Sequence, residues 1–175
     1  MALKSGSEKI ALKQAFLSLG SNLGDREAHL LKALDRLEAA GIHILSRSSI
    51  YETEPQDLPN QPWFLNMVVE VETELFPRLL LARAQAIELG MGRKREVSKG
   101  PRPIDIDILL FGNYVIRTRE LQVPHPRMCQ RRFVLEPLTE LAPELRHPVT
   151  GKTVREMLSE TQAQIVKPWQ RNPTD

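Results

Sequence analysis

Apolar positions in this chain fall into short runs whose spacing switches between that of strands and that of helices. Ala15 to Leu19 is an apolar run closed by Gly20-Ser21-Asn22, which reads as a buried strand. Asp25 then stands where a helix N-cap belongs. Apolar Ala28, Leu31, Leu34 and Leu37, or their near neighbours, predict a helix to Ala40, ended by Gly41. Ile42 to Tyr51 sets Ile42, Ile44, Ser46, Ser48 and Ile50 at alternate positions, the pattern of a second strand. Glu52 to Pro62 holds three prolines and no period, so it reads as a loop. Trp63 to Thr73, with Val68, Val69 and Val71, is β-rich. Pro77 then opens a helix carrying Leu80, Leu81, Ala84, Ile87 and Leu89 to Gly90.

A basic loop from Met91 to Pro103 leads into an apolar strand, Ile104 to Phe111, and Gly112-Asn113 predicts a tight reversal into Tyr114-Val115-Ile116. Further helices are expected from Phe133 to Leu141 and from Val154, where Thr153 and Glu156 have capping-box spacing. After Lys167 no pattern is readable. The order of elements predicts an α+β fold, a ferredoxin-like β-α-β-β-α-β core with an extra C-terminal hairpin and helices. Two helices would cover one sheet face and leave the other face for ligands. A lead-in at 1–14, one domain at 15–166 and a tail at 167–175 complete the expected organisation.

The strand after the basic loop carries Asp105 and Asp107 two residues apart. Successive strand side chains alternate faces, so both carboxylates project from one side, about 6 to 7 Å apart. Leu109 and Phe111 continue that side as apolar positions, which places the carboxylates at the rim of a buried face. Two such anions repel unless cations lie between them. Mg²⁺ suits a pair of this kind, because it completes an oxygen shell with waters and substrate phosphates.

With 41% hydrophobic residues the chain can bury one core, and its single cysteine, Cys129, forms no internal disulfide and no zinc site. No apolar run approaches the roughly 18 residues of a membrane span. A cytoplasmic protein without a membrane partner is the expectation. Net charge is +2, but Met91 to Arg132 holds ten Lys/Arg against four acids, leaving the remainder acidic. A compact basic patch of this kind points to a compact anionic ligand and away from nucleic acid.

Gly151-Lys152-Thr153 is not a phosphate loop, since its first glycine would fall on Arg146. An RNA-recognition module would need a Lys/Arg-Gly-aromatic pattern that Trp63 to Met67 does not supply. A nucleotide-sugar transferase using its Asp-x-Asp pair stays open and is separable by its product. His125, held between Pro124 and Pro126 and followed by Arg131, Arg132 and Phe133, could donate to a phosphate. Asn66 inside an apolar strand is a buried amide in need of partners, which the edge of a ligand can provide.

Five separate segments carry a resemblance: Phe16 to Asp25, Ser48 to Thr53, Phe64 to Met67, Gly100 to Asp107, and Val123 to Arg127 with Arg131 to Phe133. Together they resemble the 6-hydroxymethyl-7,8-dihydropterin pyrophosphokinases of folate biosynthesis, co-linearly from about Ala15 to Val154. The resemblance implies transfer of the β,γ-diphosphate of ATP to the hydroxymethyl group of the reduced pterin, releasing AMP. It implies that Asp105 and Asp107 hold two Mg²⁺ ions, and that Arg93, Arg95, Arg102, His125 and Arg131 engage phosphates. Arg93, Arg102, Asp105, Asp107 and His125 would form the catalytic set. Gln85 and Glu88 match residues near the nucleotide, while Thr53, Phe64, Asn66 and Phe133 match a pterin site. The basic loop is expected to close over ATP, and the protein to act as a monomer on these two small molecules.

Overall fold

A computed structural model of the protein describes residues 11–93 and 100–171. Its centre is β1 (Lys13–Ser21), flanked antiparallel by β4 (Phe64–Thr73) and β5 (Asp105–Phe111). β2 (Ile42–Arg47) and β3 (Tyr51–Thr53) both pair with β4, and β8 (Val166–Pro168) adds to β3. The six strands form one antiparallel sheet, order β5-β1-β4-β3-β8 with β2 beside β4. The stretch expected as one strand from Ile42 to Tyr51 is therefore two. A register shift between Ile44 and Ser46 starts the break, and the Ser48 hydroxyl then accepts from Val68 N–H at 3.0 Å, taking the place of a ladder bond. The unplaced tail also has a structure, since Lys167 and Pro168 extend the sheet and Trp169 N–H donates to Ile50 O at 2.8 Å.

One face of the sheet packs against α1 (Arg26–Ala39) and α2 (Pro77–Gly90). Asp25 caps α1 by accepting from Ala28 N–H at 3.0 Å. Leu30, Ala33, Leu34 and Leu37 are the inward row of α1, so Leu30 replaces the expected Leu31, which is 43% exposed. That row keeps the i, i+3, i+4, i+7 spacing of one helical stripe. It meets Leu17, Leu19, Val69 and Val71 from the sheet and Leu80, Ala84 and Ile87 from α2.

Among the described residues the opposite face is only half covered. Phe16, Val68, Leu109 and Leu110 pack under α3 (Arg132–Leu141) and α4 (Val154–Glu160), through Val134, Leu135, Leu138, Val154 and Met157. The Thr153 and Glu156 capping box that opens α4 is present. Leu17 pairs with Ile108 and Phe16 with Leu110, so Leu109 is an extra residue, a bulge in β5. Past the bulge the pleat changes sides. Leu109 stays on the aspartate face as expected, but Phe111 turns to the helix side and packs with Ala15 and its neighbours. Gly112, at φ +48°, makes the expected turn, yet the chain continues to a separate hairpin of β6 (Ile116–Arg117) and β7 (Gln122–Val123). Among the described residues no helix is long and apolar enough to cross a membrane.

Leu30→Ala should lower stability by about 2 to 5 kcal/mol, and Leu31→Ala by no more than about 0.5 kcal/mol. Urea unfolding midpoints of the two variants check this, and equal losses would contradict the inward row described.

Candidate active site

The uncovered half of the second face carries Ser18 and Gly20 from β1, Phe64 and Asn66 from β4, and Asp105 and Asp107 from β5. In register, Gly20 lies between Asn66 and Asp105, and Ser18 lies beside Asp107. A Cβ on Gly20 would stand 2.7 Å from Asn66 Oδ1 and 3.6 Å from the Phe64 ring. The glycine therefore leaves the floor of the site free for a flat group. Asn66 Nδ2 donates to Thr53 Oγ1 at 2.6 Å, which fixes the orientation of both buried side chains.

A single cavity of about 710 Å³ brings together every described candidate: Thr53, Phe64, Asn66, Gln85, Glu88, Arg93, Arg102, Asp105, Asp107, His125, Arg131 and Phe133. Arg95, with the rest of 94–99, lies outside the described residues, and with it most of the loop expected to close over the nucleotide.

Among the described residues two cations hold Asp105, Arg93 Nη1 at 2.7 Å and Arg102 Nη2 at 3.0 Å. Glu88 Oε1 accepts from Ile106 N–H at 2.7 Å and lies 2.5 Å from Arg93 Nη1, pinning the start of β5 between the two aspartates. Burial, only partly offset by these partners, pushes the Glu88 carboxyl up to about 7. Asp107 has looser company, with Arg131 Nη1 at 3.8 Å and His125 Nε2 at 3.9 Å. Burial first, and then the charge of Asp105, push its carboxyl up to about 6. The side chain keeps 38% exposure to the cavity, so water there moderates the cost of its charge.

His125 is set by its own loop. Its backbone N–H donates to Leu109 O at 2.9 Å, and its Nδ1 accepts from Arg127 N–H at 3.1 Å. The ring proton is thereby assigned to Nε2, the nitrogen that faces Asp107. Burial, and then the charges of Arg131 and Arg127, lower its pKa to about 4, so near neutral pH it is an uncharged donor.

Oxygen donors on one strand face, with no side chain from Gly20 beside them, fit a hard divalent ion. Among the described residues Asp107 in particular has no cation at ion-pair contact below 3.8 Å. Two carboxylates supply too few ligands for octahedral Mg²⁺, which leaves positions for water and phosphate oxygens.

Three features were not singled out from the sequence. Asn22, 1% exposed, accepts from Arg102 N–H at 2.8 Å and donates to Gln61 Oε1 at 3.0 Å and Pro62 O at 3.2 Å, tying two loops of the cavity. The Gly-Ser-Asn run read as strand punctuation inside a segment of the resemblance, with no role for Asn22. Arg127 grips Asp57 with both Nη atoms, at 3.2 and 3.0 Å, joining the His125 loop to the proline-rich one. A second cavity of about 230 Å³, with Leu81, Ile108 and Leu121, shares Asp107 and His125 with the first.

Comparison with known proteins decides the family. A family model described as 7,8-dihydro-6-hydroxymethylpterin-pyrophosphokinase matches residues 16–143. The chain belongs to that family. It is 44% identical over 158 residues to the 2-amino-4-hydroxy-6-hydroxymethyldihydropteridine pyrophosphokinase of Bacillus subtilis, an alignment covering 90% of each protein. It is 40% identical over 153 residues to the folic acid synthesis protein fol1 of Pneumocystis carinii, covering 87% of this chain but only 21% of that longer one. Among solved structures, wild-type HPPK-DHPS of Plasmodium falciparum matches with a TM-score of 0.69 at 18% identity, over 86% of this chain and 45% of that one. That likeness places the chain in the same α+β fold.

The raised Asp107 carboxyl gives a pH signature. A carboxyl raised from 3.8 to about 6 favours folding fully below its unfolded value, and that contribution is lost as pH rises through 6. In EDTA, Asp107→Asn should therefore be more stable than the parent at pH 8, with the difference vanishing toward pH 4. Denaturant titrations at the two pH values test this, and a less stable variant at pH 8 would contradict it.

Proposed function

We propose that this chain transfers the β,γ-diphosphate of ATP to the hydroxymethyl group of 6-hydroxymethyl-7,8-dihydropterin, giving the pterin diphosphate and AMP in folate biosynthesis. One observation carries the reading at the level of residues: a slot for a flat ring and a cluster of phosphate-binding cations line the same cavity and share side chains. Arg102 stacks 5.4 Å from the Phe64 ring and Arg131 stacks 5.5 Å from the Phe133 ring. These guanidiniums reach Asp105 and Asp107 as well.

In this reading Phe64 and Phe133 take the faces of the pterin, and Thr53 and Asn66 take its polar edge. Arg93, Arg95, Arg102, His125 and Arg131 hold the phosphates, Gln85 and Glu88 stand near the nucleotide, and the second cavity, with Leu81, Ile108 and Leu121 in its wall, suits its adenosine end. Asp105 and Asp107 would hold two Mg²⁺ ions. When bound, these ions supply neutralising charge for the triphosphate and polarise its phosphorus atoms.

The work of the protein is alignment. The ring slot fixes the carbinol oxygen, the cations fix the triphosphate, and attack at the β-phosphorus forms the new P–O bond while the bond to the α-phosphate bridging oxygen breaks. AMP departs with that oxygen, and the carbinol proton passes to solvent. His125, uncharged, donates Nε2–H to a phosphate oxygen, and the arginines sit where negative charge grows during transfer.

The sheet order β5-β1-β4-β2, with α1 and α2 on one face, supports a ferredoxin-like β-α-β-β-α-β core. We read it as one pyrophosphokinase domain over 15–166, a cytoplasmic monomer acting on two small molecules without a nucleic-acid or membrane partner.

Incubation with MgATP and hydroxymethyl-dihydropterin should yield AMP and pterin diphosphate in equal amounts, and ADP as the product would overturn the reading. Asp107→Ala should lower kcat by about a hundredfold or more. Gly20→Ala, by pressing on Asn66, should raise the pterin KM about tenfold with the ATP KM little changed. Full activity of the first variant, or equal effects of the second on both substrates, would count against the assigned roles.

A further inference from the structure

α3 begins at the candidate site, with Arg131 as its N-cap and Phe133 in its first turn, and no side chain of its own caps it. First-turn N–H groups have no acceptor within their helix and must find one elsewhere. Phe133 N–H finds Gln164 Oε1, 3.1 Å away and 31 residues further along the chain. The other end of the same amide, Nε2, donates to Glu54 O at 3.3 Å. Glu54 directly follows Thr53 and is stitched to the same C-terminal segment twice more. Its N–H donates to Ile165 O at 3.3 Å, and its Oε1 accepts from Ile165 N–H at 3.0 Å. The β3–β8 ladder then continues through Thr53 opposite Val166.

We infer that Gln164 is a positioning residue for the pterin slot: one planar amide spans from the helix end that carries Phe133 to the strand end that carries Thr53, and so sets the gap between them. This rests on the pterin reading of that slot. A second tie holds the far end of the same helix to the same stretch of chain, where Glu140 accepts from Ser49 N–H at 3.0 Å and from the Tyr51 hydroxyl. Loss of Gln164 therefore frees α3 only at the end that faces the cavity, while Glu140 keeps the helix docked. The C-terminal segment thereby becomes part of how the substrate is gripped.

The test compares Gln164→Ala, Gln164→Glu and, as a control on a neighbouring exposed side chain, Gln162→Ala. Pterin and ATP affinities, kcat and amide hydrogen exchange over residues 131–136 are the readouts. Gln164→Ala should weaken pterin binding about five- to tenfold, leave ATP affinity within about twofold, and speed exchange of the Phe133 amide. Gln164→Glu, which can still accept from Phe133 N–H but cannot donate to Glu54 O, should fall between Gln164→Ala and the parent. Unchanged pterin binding or unchanged Phe133 exchange in Gln164→Ala overturns the inference, as does an equal loss of both substrates. Failure of the parent itself to bind pterin overturns the reading of the slot and this inference together. Parent binding with an indifferent Gln164→Ala overturns the inference alone.

Discussion

Everything at the site follows from the repulsion between Asp105 and Asp107, two carboxylates set on one face of one strand and partly removed from water. Burial makes their charges costly, and the protein answers unevenly. Among the described residues Arg93 and Arg102 neutralise Asp105 at contact distance, whereas Asp107 has only longer-range cations and a raised pKa. The imbalance is what a site built to receive a further cation and a polyphosphate should show, because full compensation within the protein would leave nothing for the ligand to add.

The backbone arrangement is what keeps that face open. Gly20 and Ser18 put almost no side chain between β4 and β5, while the bulge at Leu109 turns the rest of β5 back to ordinary packing. On one side of this boundary α3 and α4 cover Phe16, Val68 and Leu110, and on the other the sheet face becomes the floor of the cavity. The same α3 that closes the apolar half delivers Arg131 and Phe133 to the polar half from its N-cap and first turn. Covering part of the sheet and building the site are thus one structural act.

Legibility in the sequence followed the range of the interactions. Local signals were direct: Asp25 capping α1, Pro77 opening α2, the Thr153 and Glu156 box, and period-two spacing that put Asp105 and Asp107 on one side. What depended on distant partners was not legible. The split of β2 from β3 depends on the Ser48 hydroxyl meeting Val68, and the switch of Phe111 depends on a bulge defined only by its pairing with β1. Asn22, the Arg127–Asp57 pair and Gln164 all act across dozens of residues, where no spacing rule applies. The Mg²⁺ role of Asp105 and Asp107, the phosphate role of His125 and the ligand-edge role of Asn66 were readable from the residues, and the other roles came from the family resemblance. The shared cavity is the geometric support for those roles.

The most direct test of the central claim is the affinity of a nonhydrolysable ATP analogue measured by calorimetry with and without Mg²⁺, for the parent and for Asp107→Asn. The account predicts that Mg²⁺ tightens binding to the parent by about tenfold or more and that Asp107→Asn loses this dependence. An identical response to Mg²⁺ in the two proteins would contradict it.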